Sequence, residues 1–267
     1  MPRTPVVTLV TDFGQDDPYV GAMKGVIASI CHNVTLLDLS NGVTPHSVLE
    51  GALALEMAYR YCPEDCIHLV VVDPGVGTER RCIAARAGKW LFVAPDNGVL
   101  TFAIENEPRL RAVSIEQPAY RLSSAGETFA GRDIMAPAAG YLAEGLPLER
   151  LGPPIDDPVR LELPKAKVET SGIEAHIIYI DRFGNCITDL KEEEFETWKK
   201  SKSGNAMRVK AGDTQIEGIS RYYAQKGEEE PLALFSSSSR LEIAVNRGDA
   251  ARLLGLATGD VVTVTGA

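Results

Sequence analysis

No apolar run in this 267-residue chain approaches the roughly 18 residues that a membrane-spanning helix needs, so no span is expected. Basic residues are in deficit: 27 Lys and Arg stand against 37 Asp and Glu, a net charge of −10. A nucleic-acid backbone binder needs a basic face, so that class is disfavoured, while a cationic or zwitterionic small molecule is tolerated. Cysteine is sparse. The five thiols, Cys31, Cys62, Cys66, Cys82 and Cys186, are odd in number and scattered. Cys62 and Cys66 are close, but no second pair or histidine cluster completes a zinc site, so reduced thiols and a cytoplasmic setting are expected. His32, His46, His68 and His176 form no ligand pattern, and His68 and His176 fall inside strand patterns. No metal and no cofactor is expected. The opening MPRTPVVTLVTDFG has an apolar run too short for a signal peptide. There is no P-loop, no G-x-G-x-x-G, no internal repeat and no low-complexity tract.

What is present reads as an α/β chain. Val6–Val10 and Ile67–Val72 are short β-branched or apolar runs, predicted as buried strands, and Val34–Leu39 is a further predicted strand. Tyr19–Ile30 and Ser47–Tyr61 have helical spacing between them. Cys82–Arg86 and Leu91–Ala94 add short strands, and Ile134–Glu144 a helix. The alternation predicts an amino-terminal layered α/β domain, residues 1–163, with a mostly parallel sheet. Gly152–Val168 carries four prolines and reads as a linker or extended crossover. Beyond it, His176–Ile180, Met207–Lys210, Thr214–Ile216, Leu232–Phe235, Leu241–Ala244 and Val261–Val264 are evenly spaced strands. They predict a smaller carboxy-terminal β-barrel or sandwich over residues 164–267. Lys191–Lys200 reads as a charged helix on solvated surface.

Ligands of open parallel sheets bind beyond the carboxyl ends of the strands. Two predicted strands end in acid there. The first runs into Asp12-Phe13-Gly14 with Asp16 and Asp17, the third into Asp73-Pro74-Gly75-Val76-Gly77. Asp12 and Asp73 are open between capping and function, while Asp16 and Asp96 read as helix caps. Arg80 is placed to fold back on Asp73, and Arg81 reads as an exposed residue. Arg132 and Asp133 read as an ion pair and cap at a helix start. In the second half, Phe183 beside Asn185 suits an adenine, offering a stacking face and an amide, though an ordinary turn has the same spacing. Ser236–Ser239 with Arg240 suits a carboxylate, or is a flexible loop.

Taken together, the segments VTLVTDFGQDDPYVGAMKG, TPHSVLEGA, VVVDPGVGTERR, APDNGVL, TFAGRDIMAPAA, IDRFGN and SSSSRLEIAVN stand in the order expected of the S-adenosylmethionine hydroxide adenosyltransferases. This family is related to the fluorinases and chlorinases, and the resemblance covers nearly the whole chain. It implies an adenosine-forming S-adenosyl-L-methionine hydrolase, and a homotrimer with sites between one chain's first domain and its neighbour's second. It implies that Asp12 holds the ribose, Phe183 and Asn185 the adenine, and Asp181, Ser239 and Arg240 the methionine end. Asp73 and Arg80 match two of the family's three water-positioning residues. The third is a histidine in TFHGRD, where this chain has Ala130. Either the lineage works without that histidine, or the alanine is a deliberate substitution that disables the site; the intact surroundings favour the second. Three rivals follow. A halogenase would lack the Asp73 and Arg80 pair. A non-catalytic S-adenosylmethionine-binding protein is suggested by Ala130. A metal-dependent phosphohydrolase would use Asp12, Asp16, Asp17 and Asp73.

Overall fold

A computed structural model describes residues 4–107, 109–123, 126, 128–202 and 206–266. It forms two compact units, Met1–Leu161 and Glu162–Ala267.

The first unit runs β1 (Val6–Thr11), α1 (Tyr19–Ile30), β2 (Thr35–Ser40), α2 (Val48–Ala58), β3 (Ile67–Val71), β4 (Cys82–Ala87), β5 (Trp90–Pro95), α3 (Thr101–Asn106), β6 (Arg111–Ser114), α4 (Ala136–Ala143) and β7 (Pro154–Ile155). Its sheet has the order β2-β1-β3-β5-β4-β6-β7. The β2, β1, β3 and β5 run is parallel, while β4, β6 and β7 join by antiparallel pairing. The sheet is thus mixed and mostly parallel in direction. Burial explains the sequence pattern: all five residues of β3 are buried, as a central strand covered on both faces requires. Val7, Leu9, Leu69 and Val71 pack with Met23 and Ile27 of α1 and with Ala138 and Ala139 of α4. The opposite face receives α2, where Gly51 abuts Val72 and Val99. Ser47 caps α2 by accepting from the Glu50 amide.

The second unit runs β8 (Lys167–Val168), β9 (Ile173–Ile180), β10 (Cys186–Lys191), α5 (Glu192–Lys200), β11 (Met207–Ala211), β12 (Thr214–Glu217), β13 (Pro231–Phe235), β14 (Arg240–Val245), α6 (Ala250–Leu254) and β15 (Val261–Gly266). The main antiparallel path is β12-β11-β15-β9-β10-β14-β13, and a bridge between Ser220 and Leu234 curls its ends toward closure. This is the near-barrel that the strand spacing predicts.

Several local expectations are corrected. The charged helix is not merely solvated surface: Phe195 and Trp198 of α5 are buried in the barrel core. At i and i+3 they share one helix face, and the acids and lysines occupy the rest. The proline-rich segment is not a plain linker, since it holds β7 and a clasp in which Asp96 accepts from the Val159 amide. Arg81 is not a free exposed residue; it pairs with both Asp96 and Asp157. Asp96 therefore ties strand ends together instead of capping a helix. Asp16 is no cap either, because Pro18 holds the cap position of α1 with no side-chain bond. The sequence reading also passed over α3, β6 and β10.

Candidate functional site

The carboxyl ends of β1 and β3 lie side by side, in register from Val7 opposite Ile67 to Thr11 opposite Val71. The residues that follow them, Asp12 and Asp73, open into one cleft of about 560 Å³. Phe13, Tyr19, His46, Phe129, Ala130 and Arg132 complete much of its wall. Of the residues singled out in this half of the sequence, Asp12, Asp73, Ala130 and Arg132 line it, and Arg80 is bonded to Asp73.

Asp73 is almost wholly enclosed, and its carboxylate accepts two hydrogen bonds from the Arg80 guanidinium. One runs from Nε at 2.7 Å, the other from Nη2. This side-by-side geometry matches the guanidinium fork to the two carboxylate oxygens. Burial works against the charge on Arg80, but the bonds to Asp73 outweigh it and push its pKa above the usual value. The cation is thereby fixed at the cleft. Asn97 braces the same strand end, donating from Nδ2 to the Val72 carbonyl at 2.9 Å and accepting from the Val99 amide. Asp12 accepts from the His46 backbone amide at 2.8 Å. His46 holds a left-handed backbone with φ 69° to make that contact.

The third wall comes from TFAGRD. Ala130 leads into one π-helical turn, Gly131–Met135, which continues as α4. Such turns often sit at functional sites. Gly131 packs closely there: a Cβ would stand 3.0 Å from Val71 and 3.1 Å from Met23. Arg132 and Asp133 pair as the sequence suggested, with Nε to Oδ1 at 2.6 Å. The second Asp133 oxygen accepts from Arg132 and from the Gly126 amide, so it fastens the loop and caps no helix. Arg132 holds the Asp133 carboxyl below the usual carboxylate range despite its burial. Phe13, Tyr19 and Phe129 form a trio with ring centroids 5.4–5.7 Å apart. That apolar wall escaped the sequence reading because Tyr19 fits the apolar spacing of α1 and Phe129 lies between polar neighbours.

Asp12, Asp16, Asp17 and Asp73 do not form a metal-ligand cluster; among the described residues the one such group is Cys62, Cys66 and His68, far along β3. The residue that the sequence reading left out of the thiol pair is His68, and the signal for its nearness is C-x-x-x-C-x-H running into a strand. A larger cleft of about 850 Å³ opens at the amino-terminal edge of the sheet. Its charges neutralise one another, Arg86 with Asp65 and Arg111 with Glu149, and do not converge on a ligand.

In the second unit a separate cleft of about 730 Å³ is lined by Asp181, Phe183, Asn185, Tyr223, Arg247 and Asp249 among others. Asp181 is consumed by its own turn: Oδ1 accepts from the Phe183 and Asn185 amides, and Oδ2 accepts from Asn185 Nδ2 at 3.0 Å. The turn leaves Phe183 77% exposed, an unusual position for a phenylalanine. Gly184 makes the turn possible, with φ 83° and the Asp249 carboxylate 2.1 Å from where a Cβ would lie. Ser239 and Arg240 lie elsewhere, at the start of β14, and do not line this cleft. Ser239 is exposed with φ 56°, and buried Arg240 donates to the Asp189 carbonyl at 3.4 Å. Glu242, also missed, is buried beneath Tyr223, which donates to it at 2.7 Å. Burial pushes its carboxyl up from the ordinary value.

Comparison with known proteins adds to this geometry. The model of the SAM hydroxide adenosyltransferase N-terminal domain matches residues 7–152, and that of the C-terminal domain matches residues 175–263. The chain is 40% identical to the (R)-S-adenosyl-L-methionine hydrolase of Thermus thermophilus, over 95% of this chain and 96% of that one. It is 27% identical to a fluorinase from Actinoplanes sp., over 98% of this chain and 97% of the other. A conserved Thermotoga maritima protein of known crystal structure shares the fold with a TM-score of 0.89 at 33% identity, covering 98% of this chain and all of that one.

Proposed function

The chain belongs to the SAM hydroxide adenosyltransferase family, and we propose that it is the enzyme that hydrolyses S-adenosyl-L-methionine to adenosine and L-methionine. The observation that carries this reading is Asp73, doubly bonded to Arg80 and opening into a cleft beside Asp12. A sulfonium leaves as a neutral thioether, so departure of methionine needs no acid. What the site must supply is an oriented water. The water oxygen forms its bond to the ribose C5′ as the C5′–sulfur bond breaks, and the electron pair of that bond stays on methionine. The released proton passes to Asp73 or to solvent. Arg80 holds Asp73 in place and offers positive charge to the developing hydroxide. The reading invokes no cofactor.

Asp12 is assigned to the ribose hydroxyls, Phe183 and Asn185 to adenine, and Asp181, Ser239 and Arg240 to the methionine end. Asp181 spends three hydrogen bonds on its own turn, so its part is to present Phe183 and Asn185, with contact to the amino group through the remaining Oδ2 lone pair. Each cleft holds only part of the groups the substrate needs. We therefore propose a homotrimer in which the first unit of one copy meets the second unit of the next, in a cytoplasmic setting that suits five free thiols. Ala130 offers the water no hydrogen bond, and slow turnover follows. The test is incubation with S-adenosyl-L-methionine in water enriched in heavy oxygen, with and without chloride. Adenosine bearing one heavy oxygen, with no chlorinated nucleoside, supports the assignment. A halogenated product, or binding with no product even after Ala130→His, overturns it.

A further inference from the structure

The amino-terminal end of β3 carries a cluster that the proposed hydrolysis does not use. Cys62 follows the helical turn Tyr59–Tyr61 at the end of α2, Cys66 leads into β3 and His68 is its second residue. Their ligand atoms all lie within 4.8 Å of one another. Cys66 and His68 are fully buried, and Cys62 is half-buried. His68 Nδ1 is held by Thr8 Oγ1 at 2.7 Å, and Nε2 is buried with no hydrogen-bond partner. A buried imidazole nitrogen without a partner is costly and uncommon. The two thiols bond to one another and otherwise make long contacts of 3.9 and 4.0 Å to backbone carbonyls, weak ties that a metal ion can replace.

We propose that Cys62, Cys66 and His68 form a structural zinc site that binds one ion through two thiolates and His68 Nε2, with water past the half-exposed Cys62 as fourth ligand. Two thiolates and an imidazole are a soft donor set suited to zinc. Donors around tetrahedral zinc stand roughly 3.5–3.8 Å apart, so the cluster closes by about an ångström on binding. The surroundings supply the support that metal-binding histidines require: Thr8 Oγ1 holds the ring at Nδ1, and in the tautomer that binds the ion Nδ1–H donates to it, leaving the Nε2 lone pair free. Phe92 stacks on the imidazole at 5.2 Å, and Trp90 Nε1 donates to the Cys62 carbonyl at 3.3 Å. Binding releases the two thiol protons to solvent. The ion would staple the end of α2 to the central strand. It lies five residues along β3 from Asp73, on the order of 16 Å, so its role is separate from the hydrolysis.

The test uses the full chain, reduced with a phosphine, stripped by a chelator and titrated with cobalt(II), then zinc. One cobalt per chain with thiolate-to-cobalt charge-transfer absorption, displaced by zinc, is expected. Cys62→Ser, at a half-exposed position that leaves the fold intact, should abolish that absorption and weaken zinc binding by more than about a hundredfold. His68→Gln should do the same while the chain still melts cooperatively. No charge-transfer absorption in the reduced wild type, or the same absorption in Cys62→Ser, overturns the proposal. Because the readout is metal uptake, it is independent of whether the chain hydrolyses S-adenosyl-L-methionine.

Discussion

The two clefts use an aspartate in opposite ways. In the first unit Asp73 faces a guanidinium, so charge meets charge at the place where a reacting oxygen is proposed to stand. In the second, Asp181 turns inward onto two backbone amides and Asn185, and its work is to shape a loop that pushes Phe183 outward. The contrast separates two tasks that one small-molecule site requires. Chemistry needs fixed charge beside the reacting atoms, whereas recognition needs a rigid, exposed surface that costs little to order.

The sharpest way to break this division is at Arg80. Arg80→Met should lower kcat by about 10²–10³, as loss of a charge-stabilising donor does, with KM little changed. A change confined to KM would move Arg80 to the recognition side. Next in size is Ala130→His, which should raise turnover by roughly 10²-fold. Single-turnover kinetics on the two proteins would measure it, and an unaltered rate would remove position 130 from the water site. Phe183→Ala should behave as the mirror image of Arg80→Met, raising KM about tenfold, the scale of one stacked base, at nearly constant kcat.

The smallest effect concerns pH and has opposite sign in the two units. Burial lowers the His68 pKa to about 3, so the folded first unit keeps a neutral ring while the unfolded chain takes up a proton below 6.5. Stability is therefore lost as pH falls from 6.5 toward 3. For the metal-free chain the step from 6.5 to 5.5 costs about 1 kcal/mol, or about 2–4 °C in Tm. Glu242 has a raised pKa, so its contribution is present below the ordinary carboxyl value and is lost as pH rises through the folded one. Fragment-resolved hydrogen exchange at pH 6.5 and 5.5 would show the first unit weakening without a matching loss in the second. Equal weakening of both would refute the assignment to these two groups.

How far the sequence reaches follows the same division. β1, α1 and β3 are legible nearly to the residue, because central parallel strands read as unbroken apolar runs and α1 has a clear apolar stripe. β10 is not, since Asp189 is buried within it, accepting from the His176 amide and ring, and so interrupts the apolar pattern. α5 misleads in the other direction: three glutamates at its start hide Phe195 and Trp198. That Asp12 and Asp73 share one rim is legible from strand ends, which by themselves leave capping and function open. The two-pronged geometry of the Arg80 pair and the aromatic trio depend on how loops fold back, which spacing does not encode.

The π-helical turn after Ala130 has one further consequence, in the currency of insertions and deletions. A π turn holds one residue more than the α-helix that would otherwise span the same distance. Deleting a residue within Gly131–Met135 would let the segment relax into regular helix continuous with α4. Everything before it, Ala130 and Phe129 included, would then swing by roughly 100° about the helix axis, away from Asp73. A shortened chain of this kind would turn the wall of its cleft away and pull Ala130 and Phe129 from the core they pack in, so the extra residue sets the aim of the site.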